Sequence, residues 1–225
     1  MFCVVDLETT SNNVTNAQII TGTFLAVDEK LNLIAEKRIQ CKPWRWDDDA
    51  VQASRIHGIT KEMTDKWQSF NSILPSLFDW FGMYNFRHFV CHAKRDMYGK
   101  KTTYDHAVIR LNLFPSDYYW QFVNTFNERN IISTHSLASY LDSSYNFPKK
   151  DLKSIANTLG IKLDDHHDDR ADAIACYEIF KTLYPKVSMS DFVNWDFYKL
   201  EVSNENDSRT SVRHSKRSRE LKAFN

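Results

Sequence analysis

The first ten residues, Met1-Phe-Cys-Val-Val-Asp-Leu-Glu-Thr-Thr10, constrain the chain most, because an apolar run ends abruptly in two carboxylates. A buried strand over Phe2 to Asp6 has a side-chain period of two, which sets Asp6 and Glu8 on one face and turns Leu7 to the other. Two anions at the end of a central strand are costly unless a proton or a cation lies between them. The pattern points to a metal. The plainer alternative is that both acids end the strand and face water.

The rest of the chain alternates strands and helices. Ser11 to Asn16 is a polar loop, and Ile19 to Asp28 and Leu31 to Gln40 read as an antiparallel hairpin turned at Asp28-Glu-Lys. Further strands are expected at His88 to His92 and Ile131 to Thr134. Helical spacing of Phe70, Ile73, Leu74, Leu77, Phe78 and Phe81 predicts a helix capped by Ser72, with Pro75 in its first turn and Gly82 as its stop. Helices are also predicted from Tyr104 towards Pro115, over Tyr118 to Asn127 and His135 to Leu141, over Asp151 to Leu159 before Gly160, and over Asp169 to Tyr184. Ile56-His-Gly-Ile-Thr60 reads as a turn. Trp44-Arg-Trp46 opens an aromatic and basic loop that either stacks on unpaired bases or packs on the domain's own surface. Together these segments imply an α/β fold with a mixed sheet covered by helices on both faces.

At 225 residues and 42% hydrophobic content, the chain suits one sizeable domain. The weakening apolar pattern sets its boundaries at 1–184, with a docking segment at 185–202 carrying Phe192, Trp195, Phe197 and Tyr198, and a flexible basic tail at 203–225. Lys plus Arg and Asp plus Glu are equal at 29 each, so no global field draws the protein to a polyanion, which must be met by local charge or by metal. The four cysteines, Cys3, Cys41, Cys91 and Cys176, form no Cys-x-x-Cys pair and suggest a reducing compartment. No run approaches the roughly 18 apolar residues of a membrane span, so a cytoplasmic protein without a membrane partner is expected.

Downstream, Asp172 shares a helical face with Cys176, Ile179 and Leu183, so an acid interrupts the stripe that should bury. An unpaired carboxylate there would cost several kcal/mol, which favours a ligand role over a simple helix-dipole role. His167, five residues earlier, can reach a water at the same site, and an imidazole with pKa near ~6.5 accepts a proton around neutrality. His166 is the second choice. A further acid, Asp105, sits in a first helical turn; Asp96 is its rival, but leads only into Tyr-Gly-Lys-Lys.

In order along the chain, Asp6-Leu-Glu8-Thr-Thr10, Tyr104-Asp105-His-Ala-Val-Ile109 and His167-Asp-Asp-Arg-Ala-Asp172 resemble the three motifs of the DEDDh 3′-5′ exonucleases. That group includes the proofreading ε subunit of bacterial DNA polymerase III and ribonuclease T. Ile56-His-Gly-Ile-Thr60 is similar to a segment of ε-type members, and the resemblance spans residues 2–184. It implies a ribonuclease H-like fold with a mixed five-stranded sheet whose first three strands are antiparallel. It also implies two Mg²⁺ or Mn²⁺ ions held by Asp6, Glu8, Asp105 and Asp172, with His167 taking the proton of the attacking water. Leu7, Thr9, Thr10 and His57 are then expected to receive the terminal nucleotide, and Lys94, Lys100 and Lys101 the upstream phosphates.

The implied substrate is a single-stranded DNA or RNA 3′ end, released as 5′-mononucleotides; a polymerase and a second copy of the chain are further candidate partners. Ser11 stands where the family has Gly, and the stretch from His92 to Asp105 is longer than usual. The alternatives are a non-catalytic module binding single strands or a polymerase, and a phosphodiesterase acting on small dinucleotides.

Overall fold

The protein is described by a computed structural model over residues 1–94, 102–163 and 167–192. Five strands, β1 (Phe2–Thr9), β2 (Ile19–Val27), β3 (Leu33–Gln40), β4 (His88–Cys91) and β5 (Ile131–Ser133), form one sheet of order β3-β2-β1-β4-β5. The first three are antiparallel, while β4 and β5 run parallel to β1, giving the expected mixed sheet. The hairpin turns because the Asp28 carboxylate accepts bonds from the Lys30 and Asn32 N–H groups, both at 2.8 Å.

Strand alternation divides the core in two. Cys3, Val5 and Leu7 face a cluster with α3 (Phe70–Gly82), α4 (Tyr104–Leu113) and α5 (Tyr118–Thr125). Phe2 and Val4 face the opposite cluster, built by α6 (Thr134–Tyr140), α8 (Leu152–Thr158) and α9 (Asp169–Leu183). Asp6 and Glu8 continue this second row, so the pleat that buries Phe2 and Val4 delivers two acids beside the start of α9. β1 pairs with β4 only through Val4, and its acidic end runs on past the partner strand.

Three local features differ from the sequence reading. Residues read as loop and turn form α1 (Asp48–His57) and α2 (Lys61–Thr64). Only Ala50 of α1 is buried, so no apolar stripe announces it; Asp47 caps the Ala50 N–H, and Gly58 at φ +74° closes its end. Ser69 rather than Ser72 caps α3, placing Pro75 beyond the first turn, and Gly82 is its last residue rather than a stop beyond it. The missing Pro75 N–H is tolerated where Leu74, Leu77, Trp80 and Phe81 bury the helix against the sheet. Finally, α7 (Asp142–Tyr145) adds a short turn after α6.

At the described end of the chain, Phe192 is buried against Tyr140, ring centroids 5.8 Å apart. Trp195, Phe197, Tyr198 and the basic tail lie outside the described residues. Among those described, no helix is long and apolar enough to cross a membrane.

Gly22 packs against the segment that carries the acids. A Cβ at this position would stand 2.6 Å from Leu7 Cδ2, between the Asp6 and Glu8 positions of β1. Gly22→Ala is expected to cost about 1–3 kcal/mol through overpacking, read as a lower urea midpoint with an unchanged m-value. An unaltered midpoint would show that Leu7 yields freely.

Candidate functional site

Three elements converge where β1 overruns β4. β1 brings Asp6 and Glu8, the first turn of α4 brings Asp105, and the first turn of α9 brings Asp172. Asp105 and Asp172 are buried, at 6% and 5% exposure, and Glu8 is 9% exposed. One atom each from Glu8, His167 and Asp172 lies within 4.8 Å of the others, a spacing that suits a shared cation.

The acids feel one another. Burial raises Asp6 well above the usual carboxylate range, with further increments from Asp105, Asp172, Glu8 and Asp169. Glu8 is pushed up to about 9, by burial first and then by Asp172, Asp169, Asp105 and Asp168. Burial also lifts Asp105 to about 7, against the opposing pull of hydrogen bonds from its own backbone and from Cys91. Among the described residues, no basic side chain forms an ion pair with Asp6, Glu8 or Asp105.

His167 is set by its backbone. Its φ of +76° lies in the left-handed region, which costs a non-glycine residue about 1–2 kcal/mol. The conformation is held because the His167 N–H donates to Asp172 Oδ2 at 3.1 Å, while Asp168 caps α9 by accepting from the Arg170 and Ala171 N–H groups. The side chain is exposed at the mouth of the acidic cleft.

The sequence reading overlooked a fifth acid, Asp169. It is 2% exposed and accepts bonds from the Thr23 hydroxyl and, at 2.8 Å, from the Arg38 guanidinium. Asp6, Thr23 and Arg38 are register partners across β1, β2 and β3, so this pair ties the first turn of α9 to the sheet row carrying Asp6. The available signal was helical: Asp169 lies three residues before Asp172 and shares its face.

The other expected contacts are distributed differently. Leu7 points into the opposite core. The Thr9 hydroxyl bonds to Ser11 O at 3.0 Å and to Tyr104 Oη at 2.7 Å. Thr10 exchanges two bonds with Gln18, each 3.0 Å, closing the loop after β1. His57, in the last turn of α1, is half-buried near Thr9 and His167, and burial lowers its pKa. Its Nδ1 accepts from the Ile59 N–H at 3.1 Å, and its buried Nε2 has no hydrogen-bond partner. Lys94 is exposed after β4, whereas Lys100, Lys101, Asp96 and His166 lie outside the described residues. Ser11, the departure from the family's Gly, donates to Asp49 Oδ2 at 3.0 Å and so joins the loop to α1.

The exonuclease family model, RNase_T, matches residues 3–180. A zinc-bound complex of E. coli exonuclease I with single-stranded DNA is 17% identical, with a TM-score of 0.63 over 82% of this chain and 40% of that one. Cell-death related nuclease 4 is 14% identical, with a TM-score of 0.61 over 82% of this chain and 64% of its own. A full-length 3′-exonuclease, also 14% identical, gives 0.59 over 82% and 81%. At these identities the likeness is one of fold, the ribonuclease H-like mixed sheet. The chain spans only 42% of another exonuclease I chain that it matches. A comparison with curated proteins found no match.

The raised carboxyl pKa values fix a pH dependence. In metal-free protein, folded Glu8 keeps its proton to about pH 9 and Asp105 to about pH 7, against ordinary values of 4.5 and 3.8. The folded state therefore binds more protons than the unfolded one through this interval; the stabilisation is full below about pH 4 and lost as pH rises through 7 to 9. In EDTA, the Tm is expected to fall from pH 6 to pH 9, and Glu8→Gln should flatten that slope. A Tm equally flat in both proteins would contradict the burial of these acids.

Proposed function

The chain belongs to the exonuclease family described by the RNase_T model, and from that premise we propose that this nuclease is a metal-dependent 3′-5′ exonuclease acting on single-stranded DNA or RNA ends. The observation that carries the reading is the meeting of Asp6, Glu8, Asp105 and Asp172 at one buried site, where, among the described residues, no lysine or arginine pairs with the first three to offset their mutual repulsion. An all-oxygen donor set of this charge fits two hard divalent ions such as Mg²⁺ or Mn²⁺. Such ions, when bound, supply Lewis-acid polarisation of the phosphodiester and lower the pKa of water.

The side chains divide the remaining work. The four carboxylates would hold the cations, whose charge offsets theirs and lets the anionic phosphodiester approach. His167, at its mouth, accepts the proton of the attacking water as the new O–P bond forms. The bond from phosphorus to the upstream 3′-oxygen breaks as a solvent water gives that oxygen a proton, leaving a shortened strand with a 3′-hydroxyl and a free 5′-mononucleotide, and His167 later returns its proton to solvent. Tyr104 and Thr9 brace the loop after β1, beside which the terminal sugar would lie, with His57 across from it. The 3′-exonuclease and the exonuclease I complex with single-stranded DNA among the similar structures support the polarity and the strandedness.

Two outcomes test this. His167→Ala should lower kcat on a 3′-labelled oligonucleotide with Mn²⁺ by about 10²–10⁴-fold, the usual contribution of a positioned base; equal rates would remove His167 from the mechanism. Mn²⁺ at about 100 times its Kd should add roughly 2.7 kcal/mol to wild-type stability, and much less to Asp172→Asn. Were saturating Mn²⁺ to leave the wild-type Tm unmoved, the carboxylates would not form a cation site.

A further inference from the structure

A groove of about 840 Å³ opens at the same end of the sheet as the acids, on the far side of the loop that follows β1. Its two walls are aromatic and exposed: Trp44 at 79% and Phe114 at 66%. Ile19, Leu74 and Leu113 lie at its base. The sequence left Trp44 and Trp46 between stacking on bases and packing on their own domain. Trp46 is half-buried, whereas the Trp44 ring stands open to solvent.

Both walls are fixed, although their rings are open. Gln18 accepts hydrogen bonds from the Trp44 and Arg45 N–H groups, at 2.7 and 3.2 Å, and donates one to Arg45 O at 3.2 Å. The same Gln18 exchanges two backbone-directed bonds with Thr10, two residues beyond Glu8. On the other side, Asn112 of α4 donates to Ala17 O at 2.9 Å and accepts from the Ile19 N–H at 3.3 Å, holding the turn that presents Phe114. A single helix of ten residues, about 15 Å long, joins this wall to Asp105. Each ring is steadied on one side only, Trp44 by the Arg45 guanidinium at 4.9 Å and Phe114 by the edge-on Tyr119 ring at 5.6 Å, and a preset ring with an open face is what a flat partner needs.

We propose that this groove holds upstream bases of the strand whose 3′ end enters the carboxylate cleft, stacking them on Trp44 and Phe114. The inference rests on the exonuclease reading above and goes beyond it by assigning a second, non-catalytic subsite. Adjacency decides the occupant: Ile19, which lines the groove, is the register partner of Thr9, one residue beyond Glu8, so a strand whose end lies among the acids has the groove as its neighbour. Charge agrees without dominating. Arg45 stacks over the Trp44 ring at 4.9 Å and Lys42 lines the groove, each in a surface pair, with Asp47 and Asp65 respectively, of the kind that contributes little and can exchange for phosphate. Asp117 also lines it, so binding here depends on ring faces more than on net field.

The test is binding of fluorescent oligo-dT of two to twelve nucleotides to the whole chain in EDTA, where hydrolysis is blocked. Wild-type Kd is expected to tighten as the strand lengthens past the cleft. In Trp44→Ala and Phe114→Ala that gain should shrink by roughly 5- to 160-fold, the range of one base-aromatic stack, and Trp44→Tyr should restore most of it. Photo-crosslinking from a halogenated base placed at successive positions should reach Trp44 only from positions upstream of the 3′ end. Cleavage by wild type combined with a Kd indifferent to length or to both substitutions would overturn the groove and leave hydrolysis standing. Length-dependent, Trp44-dependent binding without any hydrolysis in Mn²⁺ would do the reverse.

Discussion

Repulsion among carboxylates in a desolvated cleft is the constraint to which the rest of the molecule answers. Each of Asp6, Glu8, Asp105 and Asp172 would relax by turning to water, and none can, because each belongs to an element fixed by burial elsewhere. Asp6 and Glu8 are locked by a strand whose apolar residues fill both cores. Asp172 is held by a helix that buries Cys176, Ile179 and Leu183 on the stripe to which it belongs. The free energy that holds the acids together comes from apolar contacts on both faces of the sheet, away from the cleft itself. This is the usual bargain of a functional site, local destabilisation sustained by a surrounding scaffold.

One cation does enter this neighbourhood, and its placement is informative. Arg38 reaches from β3 to Asp169 and Asp168 and stops there. It neutralises the acid that would otherwise add a further buried charge, and in doing so fastens the start of α9 to β2 and β3. The fifth acid becomes a fastening, and the proposed cation site falls to the four that converge at the end of β1. Two adjacent aspartates in one charged loop thus have opposite uses, Asp168 as a cap and Asp169 as an anchor.

How far this was legible in the sequence depends on whether a feature writes itself in periodicity. The sheet was, because β1 to β5 alternate or run apolar between polar turns. The acid on α9 was, because Asp172 breaks a stripe. Asp169 was not, since an acid at the start of a predicted helix reads as a favourable helix-dipole charge, and its partners Thr23 and Arg38 lie on strands far away in sequence. Helix α1 left no stripe, being held by caps rather than by burial. Arg38 sits on an edge strand with mixed exposure, where alternation says little about which cation finds which anion. The role of Trp44 was undecidable for a different reason: an aromatic residue between polar neighbours fits either a satellite core or an open face, and only its exposure in the folded chain tells them apart.

The order of the elements carries one more consequence. The ribosome makes β1 first and α9 last among the helices of the sheet's core, so Asp6 and Glu8 emerge long before Asp172 and His167 exist to join them. Until α9 leaves the exit tunnel and packs, the growing polypeptide has acids on an uncovered face of the sheet and no complete site. The carboxylate site is therefore a late product of synthesis, complete only once the segment that carries Asp172 has packed on the sheet.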